Sequence, residues 1–204
     1  MTDLEDAFRP RKVWFVCCDE LAEERVIAGR ADLAIRPAAR ARYERLRKAL
    51  PESGEVEFHR APVRRAQQTA ARLRPELDWG VSEQLAPRAM GAWEGKTWDE
   101  LRRSDSVRVE SFWADFVARA APGGGEPLTE VGLRAESFLT GLTNRPGWSS
   151  AVVIAPPDVI AAVACTILDV DLKTTRHFDV DPLSVTTATH SWLGWHLTSL
   201  NEHP

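Results

Sequence analysis

Apolar residues along this chain follow two rhythms. Short unbroken runs of apolar, β-branched and aromatic residues mark strands covered on both faces. Two such runs occur, 12–17 (KVWFVC) and 151–155 (AVVIA). The stretch 55–59 (EVEFH) alternates and predicts a further strand, and 184–189 (SVTTAT) and 192–200 predict an antiparallel pair. Between these lie segments with apolar residues at helical spacing. Segment 37–50 (PAARARYERLRKAL) predicts a helix that stops at Pro51. Segment 63–73 (VRRAQQTAARL) predicts one with Pro62 in its first turn and Pro75 beyond its end. Helices are also predicted over 98–103, 107–120, 128–142 and 159–168, with 121–127 (APGGGEP) a loop by composition.

Strands alternating with helices predict an α/β fold with a mostly parallel sheet and an antiparallel edge. Segment 85–127 breaks the alternation and reads as a largely helical insertion over one end of the sheet. At 204 residues the chain suits one domain, 1–204, with a full core.

Composition narrows the function classes. Hydrophobic residues make up 44% and charged residues 27%, the balance of a soluble globular protein. No stretch reaches the ~20 consecutive apolar residues of a membrane span. The first residues, MTDLEDAFRPRK, have no apolar core, so the reading is cytoplasmic with no membrane partner. A net charge of −4 argues against a nucleic-acid partner, which needs a basic face. The three cysteines, Cys17, Cys18 and Cys165, read as reduced thiols, and no spacing suggests a metal site. A Cys17–Cys18 disulfide would be strained. The run Gly123–Gly125 follows no strand and precedes no Lys-Ser/Thr pair, so it is no phosphate-cradling loop.

Six ordered motifs resemble the histidine phosphatase (phosphoglycerate mutase-like) superfamily. Where the family has R-H-G-E after its first strand, this chain has Cys17, Cys18, Asp19 and Glu20. G-R-x-D is present as Gly29, Arg30 and Asp32. S-P-L-x-R-A-x-Q-T-A corresponds to residues 61–70, with Arg65, Gln68 and Thr69. G-x-W-E-G-x-T is Gly91, Trp93, Glu94, Gly95 and Thr97. P-G-G-E…E…R resembles Pro122 to Glu126 with Glu130 and Arg134. A C-terminal Ser-Val-Thr, Trp-x-Leu and Asn are Ser184, Val185, Thr186, Trp195, Leu197 and Asn201. The resemblance implies a three-layer, doubly wound sheet with a helical cap. It also implies phosphoryl transfer by a histidine nucleophile, with a second histidine, two arginines and an acid around the phosphoryl group.

Carried over position by position, few of these roles survive. The first arginine falls on Cys17, the nucleophile on Cys18, the acid on Pro87 and the second histidine on Pro156; the second arginine is kept as Arg65. Proline has neither a titratable group nor a side-chain donor. Loss of a covalent nucleophile costs on the order of 10⁶ in rate. Each lost charged hydrogen bond is worth about 1.5–3 kcal/mol. The expectation is a catalytically inactive pseudo-phosphatase that acts in binding or regulation, without a cofactor. The alternative is a phosphomonoester hydrolase with a rearranged site using Cys18 and Arg65.

Several residues carry two readings. Cys18 is either a replacement nucleophile or a buried packing residue. Asp19 and Glu20 follow it and disfavour a low thiol pKa. Arg65, with Arg60 nearby, either binds an anionic or phosphorylated small molecule or sits in an ion pair with Glu20, Glu24 or Asp158. Glu20 and Asp158 are therefore expected near the same cleft, with Asp19. Glu83 is close enough to Pro87 to replace the acid. His177, His190, His196 and His203 match no motif, and the eight tryptophans read as core and cap packing. A protein partner at the altered cleft and a homodimer both stay open.

Overall fold

In the computed structural model, residues 10–52, 56–145, 147 and 150–204 are described. The N-terminal stretch before Pro10 and the first residue of the alternating segment, Glu55, lie outside them. Six strands form one sheet in the order β3-β2-β4-β1-β5-β6. They are β1 (Arg11–Cys17), β2 (Val56–Arg60), β3 (Gly80–Val81), β4 (Ser150–Ala155), β5 (Val185–Ser191) and β6 (Gly194–Glu202). β3, β2, β4 and β1 run parallel; β5 and β6 are antiparallel and close the other edge.

The two unbroken apolar runs are the central pair. β1 and β4 lie side by side in register, Phe15 opposite Val153 and Cys17 opposite Ala155. From Ala151 to Ala155 β4 is buried throughout, as a strand covered by helices on both faces must be. The helices are α1 (Arg40–Ala49), α2 (Arg64–Leu73), α3 (Trp98–Ala114), α4 (Leu128–Thr143) and α5 (Pro157–Leu168). Their apolar faces merge with the sheet into a core that includes Phe15, Leu46, Leu73, Leu142, Ile154 and Ile160.

Several boundaries differ from the sequence expectation for identifiable reasons. α1 begins at Arg40 rather than 37, because the Ala38 N–H donates to Asp19 Oδ2 at 2.8 Å. That bond holds residues 37–39 outside the helix. α2 starts at Arg64, so Pro62 precedes the helix. α5 starts two residues early: Pro156 is its N-cap residue and Pro157 its first helical one, where a missing N–H costs nothing. The expected helices 98–103 and 107–120 are one element, α3, interrupted at Asp105 (φ −156°, ψ 69°) and ending at Ala114. Thr97 and Glu100 close its start with reciprocal hydrogen bonds. The two-residue β3 and the short 3₁₀ turns Glu83–Leu85, Gly91–Trp93 and Leu172–His177 were not foreseen.

The segment 85–127 leaves the sheet after β3 and returns at α4. Its aromatic residues pack together: Trp93 meets Trp98 and Phe112 edge-on, and Trp113 lies against Trp98 and Phe116. Trp93, Phe112 and Phe116 are buried in the same core as the sheet. The insertion thus roofs the carboxyl ends of β1 and β4, where open α/β sheets place their ligands.

Candidate functional site

A cleft of about 640 Å³ opens at these strand ends. Its floor carries Cys17 and Cys18 from the end of β1, Arg65 from α2, and Pro157 and Asp158 from the start of α5. The cap supplies Pro87, Arg88, Met90 and Trp98, and the loop 19–29 forms one wall. That size suits a small organic molecule.

Both thiols at the floor are enclosed. The Cys17 N–H donates to Ser184 O and the Cys18 N–H to Ala155 O, each at 3.0 Å. Burial raises the Cys17 pKa well above the ordinary thiol value, and neighbouring Cys18 and Asp158 add to it. Burial pushes the Cys18 thiol up to about 12, with Arg65 opposing and Asp158 reinforcing the shift. A thiol in this state is protonated at neutral pH, whereas nucleophilic attack needs the thiolate.

Arg65 is the buried cation of the floor, 5% exposed. Its Nη2 donates to Gly29 O at 2.9 Å, while Nη1 is buried with no hydrogen-bond partner. The ion pair considered for it does not form. Glu20 and Glu24 both pair with Arg36, at 2.8 and 2.9 Å. Asp158 Oδ2 instead accepts the Arg88 N–H at 2.7 Å. The adjacent Arg64 lies at the surface, 3.5 Å from Asp32.

The remaining sequence candidates divide. Glu20 and Asp158 line the cleft, as does Pro87. Pro156 does not line it: its place is the N-cap of α5, and Pro157 and Asp158 face the cleft in its stead. Arg60 is also not brought there; its Nη1 turns back to Ala61 O at 3.3 Å. Glu83 is exposed at the start of its 3₁₀ turn and does not reach the cleft as a substitute acid. Asp19 is committed to structure, accepting from Glu20 N, Ala38 N and Tyr43 Oη. The three acids therefore hold separate partners, and no metal-binding group occurs among the described residues. None of the five histidines lines the cleft.

Sequence reasoning missed Arg88, a lone arginine in a loop with no motif around it. It is buried, stacks over Phe112 at 4.7 Å, and donates to Glu126 O and Arg119 O. Glu126 ties the roof together. Its carboxylate receives Arg30, Arg134 and the Ala89 N–H, while Arg30 and Arg134 also bind the Pro87 carbonyl. Burial opposes ionisation of Glu126, but Arg134, the Ala89 N–H and Arg30 outweigh it and hold its pKa below the usual carboxylate value. Two motifs seen in the sequence, G-R-x-D and P-G-G-E…R, thus meet at one carboxylate.

The fold is an α/β sheet with a capped cleft at its carboxyl edge. Residues 19–203 match the model of the histidine phosphatase superfamily (branch 1), and the chain belongs to that superfamily. A search of curated proteins finds no match. Solved structures share the fold. One, from Escherichia coli K-12, is described as an α-ribazole-5′-P phosphatase (TM-score 0.84, 17% identity, 95% of this chain and 97% of that one). Another is a mycobacterial glucosyl-3-phosphoglycerate phosphatase (TM-score 0.80, 19% identity, 95% and 99%). The same mycobacterial enzyme in complex with inorganic phosphate gives a TM-score of 0.76 at 20% identity, over 94% and 97%. At these identities the likeness is one of fold. Among the described residues, no helix is long and apolar enough to cross a membrane.

Proposed function

We propose that this member of the superfamily is a non-catalytic binding protein, which holds the anionic group of a small molecule at Arg65. One observation carries the reading: a buried guanidinium with an unpartnered nitrogen stands at the floor of an open cleft. An unsatisfied buried donor costs about 1–3 kcal/mol, and more when charged, so a fold that keeps one gains from a ligand that satisfies it. The rest of the floor supports binding over chemistry. Cys18 stands at the nucleophile position with its thiol held protonated, and Pro87 at the acid position has no proton to give. No histidine reaches the site.

The test is a calorimetric titration of inorganic phosphate into the native protein and into Arg65→Met, which keeps the volume and removes the charge. The native protein should bind saturably and the variant should not. The variant's melting temperature should stay unchanged or rise, because an uncompensated buried charge has been removed. Equal binding by both would remove Arg65 from the account.

A further inference from the structure

The charges around the cleft do not suit a phosphoester. Its lining carries Arg25, Arg65 and Arg88 against five carboxylates, Asp19, Glu20, Glu23, Glu24 and Asp158. Arg88 is already consumed by backbone carbonyls and by the Phe112 ring. One buried cation is left for a ligand, and a dianion at Arg65 would face the Asp158 carboxylate across the same floor. Arg65 and Asp158 line the same cleft as Cys17 and Cys18. They nevertheless form no ion pair with each other. Asp158 accepts the Arg88 N–H and feels the Arg88 guanidinium at longer range, but among the described residues it forms no ion pair. A floor with an unpaired cation and an unpaired anion is complementary to a molecule that carries both signs. Above it, the walls are largely apolar, with Val26, Ile27, Met90, Trp98, Val180 and Pro182.

Resting on the reading of Arg65 as an anion anchor, we infer that the cleft accepts a small zwitterion: its carboxylate at Arg65, its ammonium at Asp158, and an apolar skeleton against Ile27, Met90 and Trp98. A carboxylate matches the planar guanidinium fork. A single negative charge, balanced by an ammonium, avoids the repulsion that a phosphate dianion meets from Asp158. Specificity of this kind comes from the buried polar group that a ligand leaves unpaired.

The test compares three probes by calorimetry: L-phenylalanine, 3-phenylpropionate (the same skeleton without the ammonium) and inorganic phosphate. The native protein should bind phenylalanine at least tenfold more tightly than either of the others. In Asp158→Asn, whose amide oxygen can still accept the Arg88 N–H, that preference should vanish, while affinity for phosphate should rise. Equal affinity for phenylalanine and 3-phenylpropionate, or binding of phosphate alone, overturns the zwitterion. If that binding is lost in Arg65→Met, the anion-binding reading stands without it. Binding of none of the three overturns both.

Discussion

Nη2 of Arg65 donates to the carbonyl oxygen of Gly29 at 2.9 Å, so the buried cation is positioned by a glycine that lies in the left-handed region (φ +48°). Gly29 is itself set by Glu94. A Cβ at position 29 would lie 2.2 Å from Glu94 Oε1, the atom that accepts the backbone N–H groups of Arg30 and Met90 at 2.9 Å. Three motifs that look independent in the sequence, around Gly29, Arg65 and Glu94, are therefore one device for aiming a guanidinium.

Gly29→Ala should disturb that device. The new side chain adds the cost of a left-handed alanine, about 1 kcal/mol, and displaces the Glu94 carboxylate. We expect a loss of about 2 kcal/mol, read as a fall in melting temperature of about 4–8 °C. Phosphate affinity measured by calorimetry should fall as well. A variant with native stability and native affinity would show that Glu94 does not constrain Arg65.

The thiols give a second prediction. Cys17, Cys18 and Cys165 are all buried with pKa values raised by burial. An aromatic disulfide reagent at pH 8 should find no fast-reacting thiol in the folded protein and three after denaturation. A raised folded pKa also sets a sign. The stabilising contribution is complete below the unfolded thiol value of about 8.5 and falls away as pH rises toward about 12 for Cys18. Denaturation curves between pH 8 and 10.5 should show this decline, and Cys18→Ala should flatten it. A single fast thiol assigned to Cys18 would contradict the buried, protonated state.

Acid should loosen the roof of the cleft. The folded pKa of Glu126 lies below its ordinary value of 4.5, so its contribution is complete above about pH 5. It is lost as pH falls through the depressed value. Glu126→Gln removes the charge opposite Arg134 and Arg30, at 2.7 and 2.9 Å. A loss of about 2 kcal/mol is expected at pH 7, shrinking as the pH falls through the depressed pKa of Glu126. Parallel stability profiles for native protein and variant across that range would contradict the assignment.

The central sheet and α2 were legible because their signals are local: unbroken apolar runs for β1 and β4, and proline punctuation around residues 63–73. The roof was less so. The two residues of β3 carry no pattern, and the break at Asp105 within α3 leaves helical spacing intact on either side. At the cleft, motif positions led to Cys17, Cys18, Arg65 and Pro87, since an ordered motif fixes which strand end a residue occupies. Arg60 and Glu83 were misplaced because nearness in sequence to Arg65 and Pro87 says nothing about side-chain direction. Pro156 turned out to be a helix cap because two consecutive prolines suit the start of α5. Arg88 and the balance of charge around Arg65 emerge only when the cap and the sheet are brought together.

The cleft is proposed to bind its ligand without turning it over. This is tested most directly by phosphate release from a panel of small phosphomonoesters, with the native protein, Cys18→Ala and Arg65→Ala side by side. Release should stay at background for all three. Turnover by the native protein that Cys18→Ala abolishes would contradict the proposal, and would make this chain a cysteine-dependent phosphatase on a histidine phosphatase fold.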